Sequence, residues 1–105
     1  MRAENQNNEV FEKLRLYFSG KSGVKEAIVF GSFAGGSNTA RSDIDLIAVY
    51  DTDKRFLDRY DDFDELNSMF SFPVDILPYT EREWGNIKER KFFKNAMKKV
   101  IFGKA

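Results

Sequence analysis

The feature that most constrains the fold is a pair of short apolar runs separated by a connection long enough to hold a helix. Residues 43–50 read Asp-Ile-Asp-Leu-Ile-Ala-Val-Tyr, and residues 74–77 read Val-Asp-Ile-Leu, followed by Pro78. Both runs have the length and composition of buried strands, and Pro78 is predicted to end the second one. Because the connection carries a helical pattern near residues 55–70, the two strands are predicted to be parallel neighbours.

The first third of the chain supplies one more helix and one more strand. Asn7 or Asn8 can cap a helix whose apolar residues follow helical spacing. Residues 27–30, Ala-Ile-Val-Phe, are predicted to form a strand that stops at a glycine. The segment 31–42 is rich in Gly, Ser, Asn and Thr and is predicted to be a loop with at most one helical turn.

The end of the chain is predicted to be a helix over residues 81–99. Its apolar residues match the i, i+3, i+4, i+7, i+8 pattern: Phe93, Ala96, Met97, Val100 and Ile101. The predicted order is therefore α-β-α-β-α-β-α, an α/β (α+β) domain with a short mixed sheet flanked by helices. At 105 residues, the chain is predicted to form a single domain over residues 1–105.

The composition restricts the chemistry that a site can use. The chain contains neither Cys nor His, which excludes disulfides, a cysteine nucleophile and zinc bound by thiolate or imidazole. A metal must therefore be held by oxygen, which favours Mg²⁺, Mn²⁺ or Ca²⁺.

The N-terminal residues are polar, and no apolar run approaches the length of a membrane span, so a cytoplasmic location and no membrane contact are expected. Net charge is zero but unevenly distributed. Residues 51–65 hold seven acids and three bases, whereas residues 81–105 hold eight bases and three acids. The favoured interpretation is two solvated faces, and the alternative is a basic face that binds a partner or a polyanion.

Three aspartates are predicted to meet at one end of the sheet. Asp43 and Asp45 are two residues apart on one strand, so both should point to the same face. Asp75 lies early in the next parallel strand and should come level with them. We expect Asp75 to be paired or metal-bound, because an isolated charge in an apolar strand costs several kcal/mol.

Gly31 and Ser32 are predicted to lie beside these carboxylates if the first strand runs antiparallel to the second. Glycine permits a close approach of the backbone, and Ser32 offers a hydroxyl and an N–H at the start of a helical turn. Carboxylates next to a phosphate-binding turn are typical of a Mg²⁺-nucleotide site. Asn38, Thr39 and Ser42 are predicted to shape the loop, with contact to phosphate left open.

The motif Gly31-Ser32, ten residues, then Asp43-Ile44-Asp45 resembles the GS-x10-DxD signature of the DNA polymerase beta-like nucleotidyltransferase superfamily. Asp75 falls where that superfamily places its third carboxylate. The resemblance covers residues 24–80 by motif and the whole chain by element order. At this length, the chain is similar to the minimal nucleotidyltransferase (MNT) group, which includes the MntA-type antitoxins of HEPN-domain toxins.

The resemblance implies a nucleotidyltransferase fold and a role for each site residue. Asp43 and Asp45 would hold two Mg²⁺ ions, with Mn²⁺ as an alternative, and Asp75 would hold the catalytic ion and assist deprotonation of the acceptor. Gly31, Ser32 and Ser42 would bind the triphosphate of ATP. The expected activity is transfer of AMP to a tyrosine hydroxyl of a HEPN toxin.

The loop after the GS pair departs from the family pattern. Many relatives continue as GSxARG, whereas this chain has Phe33-Ala34-Gly35-Gly36 and lacks an arginine there. Arg41 is a candidate replacement. Trp84 and the pair Phe92-Phe93 could stack on a nucleobase, although aromatics at helical spacing are more often core residues.

The catalytic core occupies the chain, so an acceptor site is expected from a partner or from a second copy in a homo-oligomer, and no direct binding of nucleic acid is expected. Two alternatives to an active protein adenylyltransferase stay open. One is an antitoxin that neutralises its toxin by contact alone, and the other is an enzyme that modifies a small molecule.

Overall fold

The computed structural model describes residues 3–39 and 41–103, and the side chains from residue 7 onward within those ranges. The elements in chain order are α1 (Ala3–Ser19), β1 (Val24–Phe30), α2 (Ser32–Gly35), β2 (Ile44–Tyr50), a 3₁₀ helix (Phe56–Phe63), α3 (Leu66–Met69), β3 (Val74–Tyr79), α4 (Glu81–Ile87), α5 (Lys91–Asn95) and β4 (Lys98–Gly103). The predicted fold class, a mixed sheet flanked by helices, is confirmed.

The sheet has four strands in the order β3-β2-β1-β4. β1 is antiparallel to β2, and β2 is parallel to β3, as the sequence predicts. The pairing register places Phe30 opposite Asp45, Asp45 beside Asp75, and Phe30 opposite Lys98. One row of four residues thus crosses the whole sheet: Asp75, Asp45, Phe30 and Lys98.

Apolar layers cover both faces of the sheet because the two central strands are almost entirely apolar. On one face α1 packs Leu14 and Phe18 against Val29 and Leu46. On the opposite face, α4 and α5 lie over a second core cluster: Ile28, Phe30, Ile47, Val49 and Trp84, with Phe93 packed against it. The sheet row described above belongs to this second face.

The first helix begins at Ala3, so the prediction that Asn7 or Asn8 caps it is wrong. Asn7 lies inside α1 and is 5% exposed. Its side chain donates to Oδ1 of Asn38 at 2.7 Å and accepts from Nδ2 of Asn38 at 3.1 Å. The buried side-chain amide of Asn7 is tolerated within the helix because Asn38 in the loop supplies both of these hydrogen bonds.

The predicted helix near residues 55–70 is instead a 3₁₀ helix followed by the short α3. Arg59 in the 3₁₀ helix is only 5% exposed and donates to the backbone oxygens of Lys54 and Pro78. It also forms an ion pair with Glu83 of α4. These long-range contacts hold the segment against the sheet in a conformation that its apolar spacing does not indicate.

The third strand extends through Pro78 to Tyr79, so the prediction that Pro78 ends it is wrong. The proline is accommodated because β3 is an edge strand and needs ladder hydrogen bonds on one side only. The predicted helix over residues 81–99 is also wrong in extent. It divides into α4 and α5, and Val100 and Ile101 lie in β4.

Within the described ranges, no helix combines the length and apolar character required to cross a membrane. Several acids of the segment 51–65 form ion pairs with nearby lysines and arginines, such as Asp62 with Lys54. Of the basic residues in the segment 81–105, Lys104 lies outside the described residues. Among the others, no ion pair is present in the described part of the chain.

Candidate active site

Asp45 and Asp75 lie side by side on parallel strands. They are register partners in β2 and β3, so they point to the same face across one strand spacing of about 4.8 Å. Asp45 is half-buried, whereas Asp75 is exposed. The premise that Asp75 is buried in an apolar strand is therefore wrong, because β3 is an edge strand and leaves this position open to water. That Asp75 is paired or metal-bound stays a prediction.

Asp43 precedes β2 by one residue and is exposed. The alternation along the strand buries Ile44 in the core beneath α1 and turns Asp45 to the face of α4 and α5. This separation of the two aspartates from Ile44 agrees with the predicted period of two.

The ionisation of Asp45 is affected by burial and by both neighbouring aspartates. Its pKa is raised above the usual value, chiefly because burial desolvates the carboxylate and further because Asp75 and Asp43 repel its charge. Both effects destabilise the ionised form. A cation placed among these oxygens would therefore be attracted by all three groups.

Gly31 contacts this cluster from β1. Its torsion angles, φ 81° and ψ −147°, are accessible mainly to glycine. A Cβ atom at this position would lie 3.0 Å from Oδ2 of Asp45. The Gly31 N–H donates to the carbonyl oxygen of Met97 at 3.0 Å, which ties the turn to the segment between α5 and β4.

Ser32 is the first residue of α2 and is half-buried, in agreement with the expected helical turn. Ser42 shapes the loop, because its hydroxyl accepts from the Thr39 N–H at 2.8 Å and its own N–H donates to the Thr39 carbonyl at 3.1 Å. Arg41, the candidate replacement for the family arginine, is exposed.

The donor set fits a hard divalent cation, since it consists of carboxylate oxygens. Over residues 3–39 and 41–103, however, no group of three or more Asp or Glu side chains is arranged to hold a metal ion by itself. Mg²⁺ is commonly bound by one or two carboxylates together with substrate phosphates. The adjacent Asp45 and Asp75 match that requirement.

A cleft of about 570 Å³ lies elsewhere, between α1, the loop after α2 and the segment before β3. Val10, Phe33 and Phe72 are among its lining residues, and none of the three aspartates lines it. The carboxylates lie instead at one end of the sheet, where Asp75 is exposed on the edge strand and lines a smaller cleft of about 370 Å³.

Two residues at the same end of the sheet, but towards its β4 side, could not be placed from the sequence. Lys98 lies at the start of β4 opposite Phe30, and Phe92 lies on α5 above Phe30. The helical pattern over residues 81–99 concealed the strand. The signal that could have revealed it is weak, namely Val100 and Ile101 followed by the glycine at position 103.

Comparison with known proteins places these features in a family. Residues 11–100 match the family model described as nucleotidyltransferase domain. A Methanocaldococcus jannaschii protein named putative protein adenylyltransferase is 37% identical over 59 residues. That alignment covers 56% of this chain and 63% of the relative, so this chain spans less than two thirds of the relative's length.

Solved structures share the fold. A crystal structure of a putative nucleotidyltransferase from Sulfolobus solfataricus superposes with a TM-score of 0.65 at 19% identity, covering 93% of this chain and 84% of that one. A toxin–antitoxin complex crystallised with AMP-PNP gives 0.61 at 19% identity, covering 93% and 73%. A mutant of the MntA–HpeT toxin–antitoxin gives 0.60 at 17% identity with the same coverage. At these identities the likeness is one of fold.

Proposed function

The chain belongs to the nucleotidyltransferase domain family, and on that premise we propose that it transfers AMP from Mg²⁺-ATP to a tyrosine hydroxyl of a partner toxin. The observation that carries the proposal is the pairing of Asp45 with Asp75 at one end of the sheet, where Asp43 directly precedes β2 and Gly31 lies close to the Asp45 carboxylate. Carboxylates and a close-approaching backbone turn are the groups that a metal-bound triphosphate requires.

Each residue has a distinct task in this proposal. Asp43 and Asp45 would hold the two Mg²⁺ ions, and Asp75 would help to hold one of them. Ser32 would contact the triphosphate through its N–H and hydroxyl, and Ser42 through its hydroxyl. Gly31, whose N–H is donated to the Met97 carbonyl, would allow a phosphate to approach the backbone closely. When bound, the two ions neutralise phosphate charge and stabilise the attacking and leaving oxygens of an in-line displacement.

The reaction balances without any further reagent. The acceptor oxygen forms a bond to the α-phosphorus of ATP, and the bond from that phosphorus to the oxygen bridging to the β-phosphate breaks. Pyrophosphate leaves. The hydroxyl proton passes to the Asp75 carboxylate, whose exposed position on β3 allows an acceptor on another molecule to reach it.

The partner we propose is a HEPN-domain toxin in the cytoplasm. The resemblance to MntA-type antitoxins supports it, and so does the fold likeness to proteins crystallised as toxin–antitoxin complexes. Asp75 is exposed on the edge strand β3, which gives a protein acceptor direct access to it.

The test is transfer of label from α-labelled ATP to a cognate toxin in the presence of Mg²⁺. Asp45→Asn and Asp75→Asn should abolish the transfer. Asp53→Asn is the matched control, because Asp53 is an exposed aspartate beyond the opposite end of β2 and should leave transfer unchanged. Full transfer by Asp45→Asn would rule out the mechanism.

A second candidate function is neutralisation of the toxin by contact alone. The loop Phe33-Ala34-Gly35-Gly36, which has no cation beside the phosphate-binding turn, favours it. This function predicts that Asp45→Asn still silences the toxin and that ATP is dispensable. Measuring toxin activity with each variant, with and without ATP, separates the two functions.

A further inference from the structure

The wall of the candidate site opposite Asp75 is built by α5. The sheet row runs from Asp75 through Asp45 and Phe30 to Lys98, so Phe30 is the direct cross-strand neighbour of Asp45. Directly opposite residues on antiparallel strands have Cβ atoms about 5 Å apart and share a face. The Phe30 side chain therefore adjoins the side chain of Asp45, and a group that covers the Phe30 ring lies on the same face of the sheet as that carboxylate.

Phe92 of α5 is one of the rings over Phe30. The two ring centroids are 6.2 Å apart, with the rings nearly perpendicular at 86°. Phe93 holds Phe92 from another side, with centroids 5.0 Å apart, and Phe93 itself packs edge-on against Trp84 at 5.4 Å. Edge-to-face contacts of this kind fix the orientation of a ring.

Phe92 is nevertheless 67% exposed, whereas Phe30 and Trp84 beneath are each 7% exposed. An aromatic ring that is held by two neighbours and still offers most of its surface to water is not a core residue. Trp84, Phe92 and Phe93 are the aromatic residues for which the sequence left base stacking and a core position as alternatives. Trp84 belongs to the core, whereas Phe92 is exposed.

The segment that carries Phe92 is fixed relative to the phosphate-binding turn. The carbonyl of Met97 accepts from the Gly31 N–H at 3.0 Å. The Lys98 ammonium donates to the carbonyls of Phe93 at 2.7 Å and Lys94 at 3.2 Å, closing the end of α5 onto β4. The ring and the turn therefore belong to one hydrogen-bonded unit.

The charges around Phe92 complement a triphosphate. Arg90, Lys91 and Lys94 are all exposed, and none forms an ion pair within the part of the chain that the structure describes. The carboxylates on the other side of Phe30 suit the metal that accompanies a nucleotide. Phe92 therefore lies over Phe30, with Asp45 on the neighbouring strand and the basic residues of α5 next to Phe92 in the chain.

We propose that the exposed face of Phe92 is the subsite on which the base of the bound nucleoside triphosphate stacks. The inference rests on the proposed function, since it uses the position given there to the phosphates. Stacking on an aromatic side chain is largely independent of base identity because every base has a π face. Phe92 therefore separates nucleotides from inorganic polyphosphate and does not select adenine over guanine.

The test compares two Mg²⁺-loaded ligands, ATP and inorganic tripolyphosphate, by isothermal titration calorimetry. Phe92→Ala should weaken ATP binding on the order of tenfold and leave tripolyphosphate unchanged, since removal of one stacking aromatic has an effect of that size. Phe92→Trp should retain ATP binding, and Phe92→Leu, which keeps apolar packing without a π face, should not. Leu57→Ala, which removes an 80% exposed apolar side chain on the 3₁₀ helix, is the matched control.

Two fluorescence measurements separate base stacking from a change in the packing of the protein. The fluorescence of a 2-aminopurine nucleoside triphosphate should be quenched on binding to the wild type and to Phe92→Trp, and much less by Phe92→Leu. In the wild type, Phe92→Ala and Phe92→Leu, the fluorescence of the single tryptophan, Trp84, reports whether the layer beneath position 92 stays packed.

Three outcomes would overturn the inference. An equal loss of ATP and tripolyphosphate in Phe92→Ala would mean that the ring only positions α5. Unchanged binding of both ligands, with weaker capture of a toxin, would assign Phe92 to a protein interface. Failure of either ligand to bind the wild type would refute the proposed function itself, and the stacking subsite with it. Asp45→Asn should weaken the binding of both ligands, so it distinguishes loss of contacts to the phosphates from loss of contacts to the base.

Discussion

Replacing Gly31 by alanine tests the geometry that joins the turn to the carboxylates. The torsion angles of Gly31 place it where a side chain is strained by about 1–3 kcal/mol. The added methyl would also lie 3.0 Å from Oδ2 of Asp45, closer than real Cβ contacts normally come. We expect Gly31→Ala to lower the melting temperature by about 4–8 °C for each kcal/mol lost and to weaken ATP binding.

Gly36→Ala is the matched control for backbone strain. Gly36 also has a positive φ, 80°, but no atom lies within 4 Å of the position of its missing Cβ. A left-handed alanine costs about 1–2 kcal/mol. Gly36→Ala should therefore destabilise the protein without the further loss that contact with Asp45 causes, and it should leave ATP binding intact.

A double-mutant cycle isolates the contact itself. In Gly31→Ala/Asp45→Ala the backbone strain persists, but the carboxylate that meets the new methyl is gone. We expect a coupling energy within the range of about 0.5–3 kcal/mol found for residues in contact. Urea unfolding followed by Trp84 fluorescence measures it. Equal losses for Gly31→Ala and Gly36→Ala, with zero coupling to Asp45, would refute the placement of Gly31 against Asp45.

Two further substitutions test the charges of the fold and of the site. Arg59, through its hydrogen bonds, lowers the pKa of Glu83 from 4.5 to about 2. The pair therefore stabilises the fold above pH 4.5, and this contribution is lost as the pH falls towards 2. Because the Glu83 side chain is 40% exposed, we expect Glu83→Gln to lower the free energy of unfolding by only about 1–2 kcal/mol and to flatten the stability–pH curve in that window. Glu12→Gln, which removes an exposed pair, should change neither the free energy of unfolding nor the shape of that curve. Asp45→Asn removes a carboxylate that is half-buried and repelled by its neighbours, so the variant should have a higher melting temperature than the wild type without Mg²⁺. It should also lack the stabilisation that Mg²⁺ gives to the wild type. A lower melting temperature of the variant in metal-free buffer would contradict the repulsion.

The pairing of the three strands around the site followed from sequence because each step had a geometric cause. The period of two along residues 43–50 separates Ile44 from Asp45, and the long connection before β3 makes that strand parallel to β2. Together with an antiparallel β1, these rules bring Asp45 level with Asp75 and place Gly31 beside them. The assignment of catalytic and nucleotide-binding roles to these residues stays a prediction.

The exposure of Asp75 was not predictable by the same rules. Its neighbours Val74 and Ile76 indicate an apolar strand, yet whether a strand lies at the edge of a sheet depends on which other strands exist. Arg59 presents a similar case. Its partners, the Pro78 carbonyl and Glu83, are 19 and 24 residues away in the chain. No local sequence pattern therefore indicates that this arginine is buried and that the segment around it is not a continuous α-helix.

The last residues of the chain that the structure describes form the strand β4 and not the helix that their apolar spacing predicts, because β4 pairs with β1. β1 is buried from Ala27 to Phe30 and would be an apolar, unpaired edge if β2 were its only neighbour. Pairing with β4 removes that edge and replaces it with one that carries Lys98 and Lys99, and lysine is a residue that protects sheet edges from further association. The hydrogen bonds gained by β1 are available only to a strand, so they outweigh a helical periodicity shared by a few apolar residues. The same pairing sets Lys98 opposite Phe30 and brings α5 to the end of the sheet where the carboxylates lie, which is how an element that the sequence pattern concealed comes to form a wall of the candidate site.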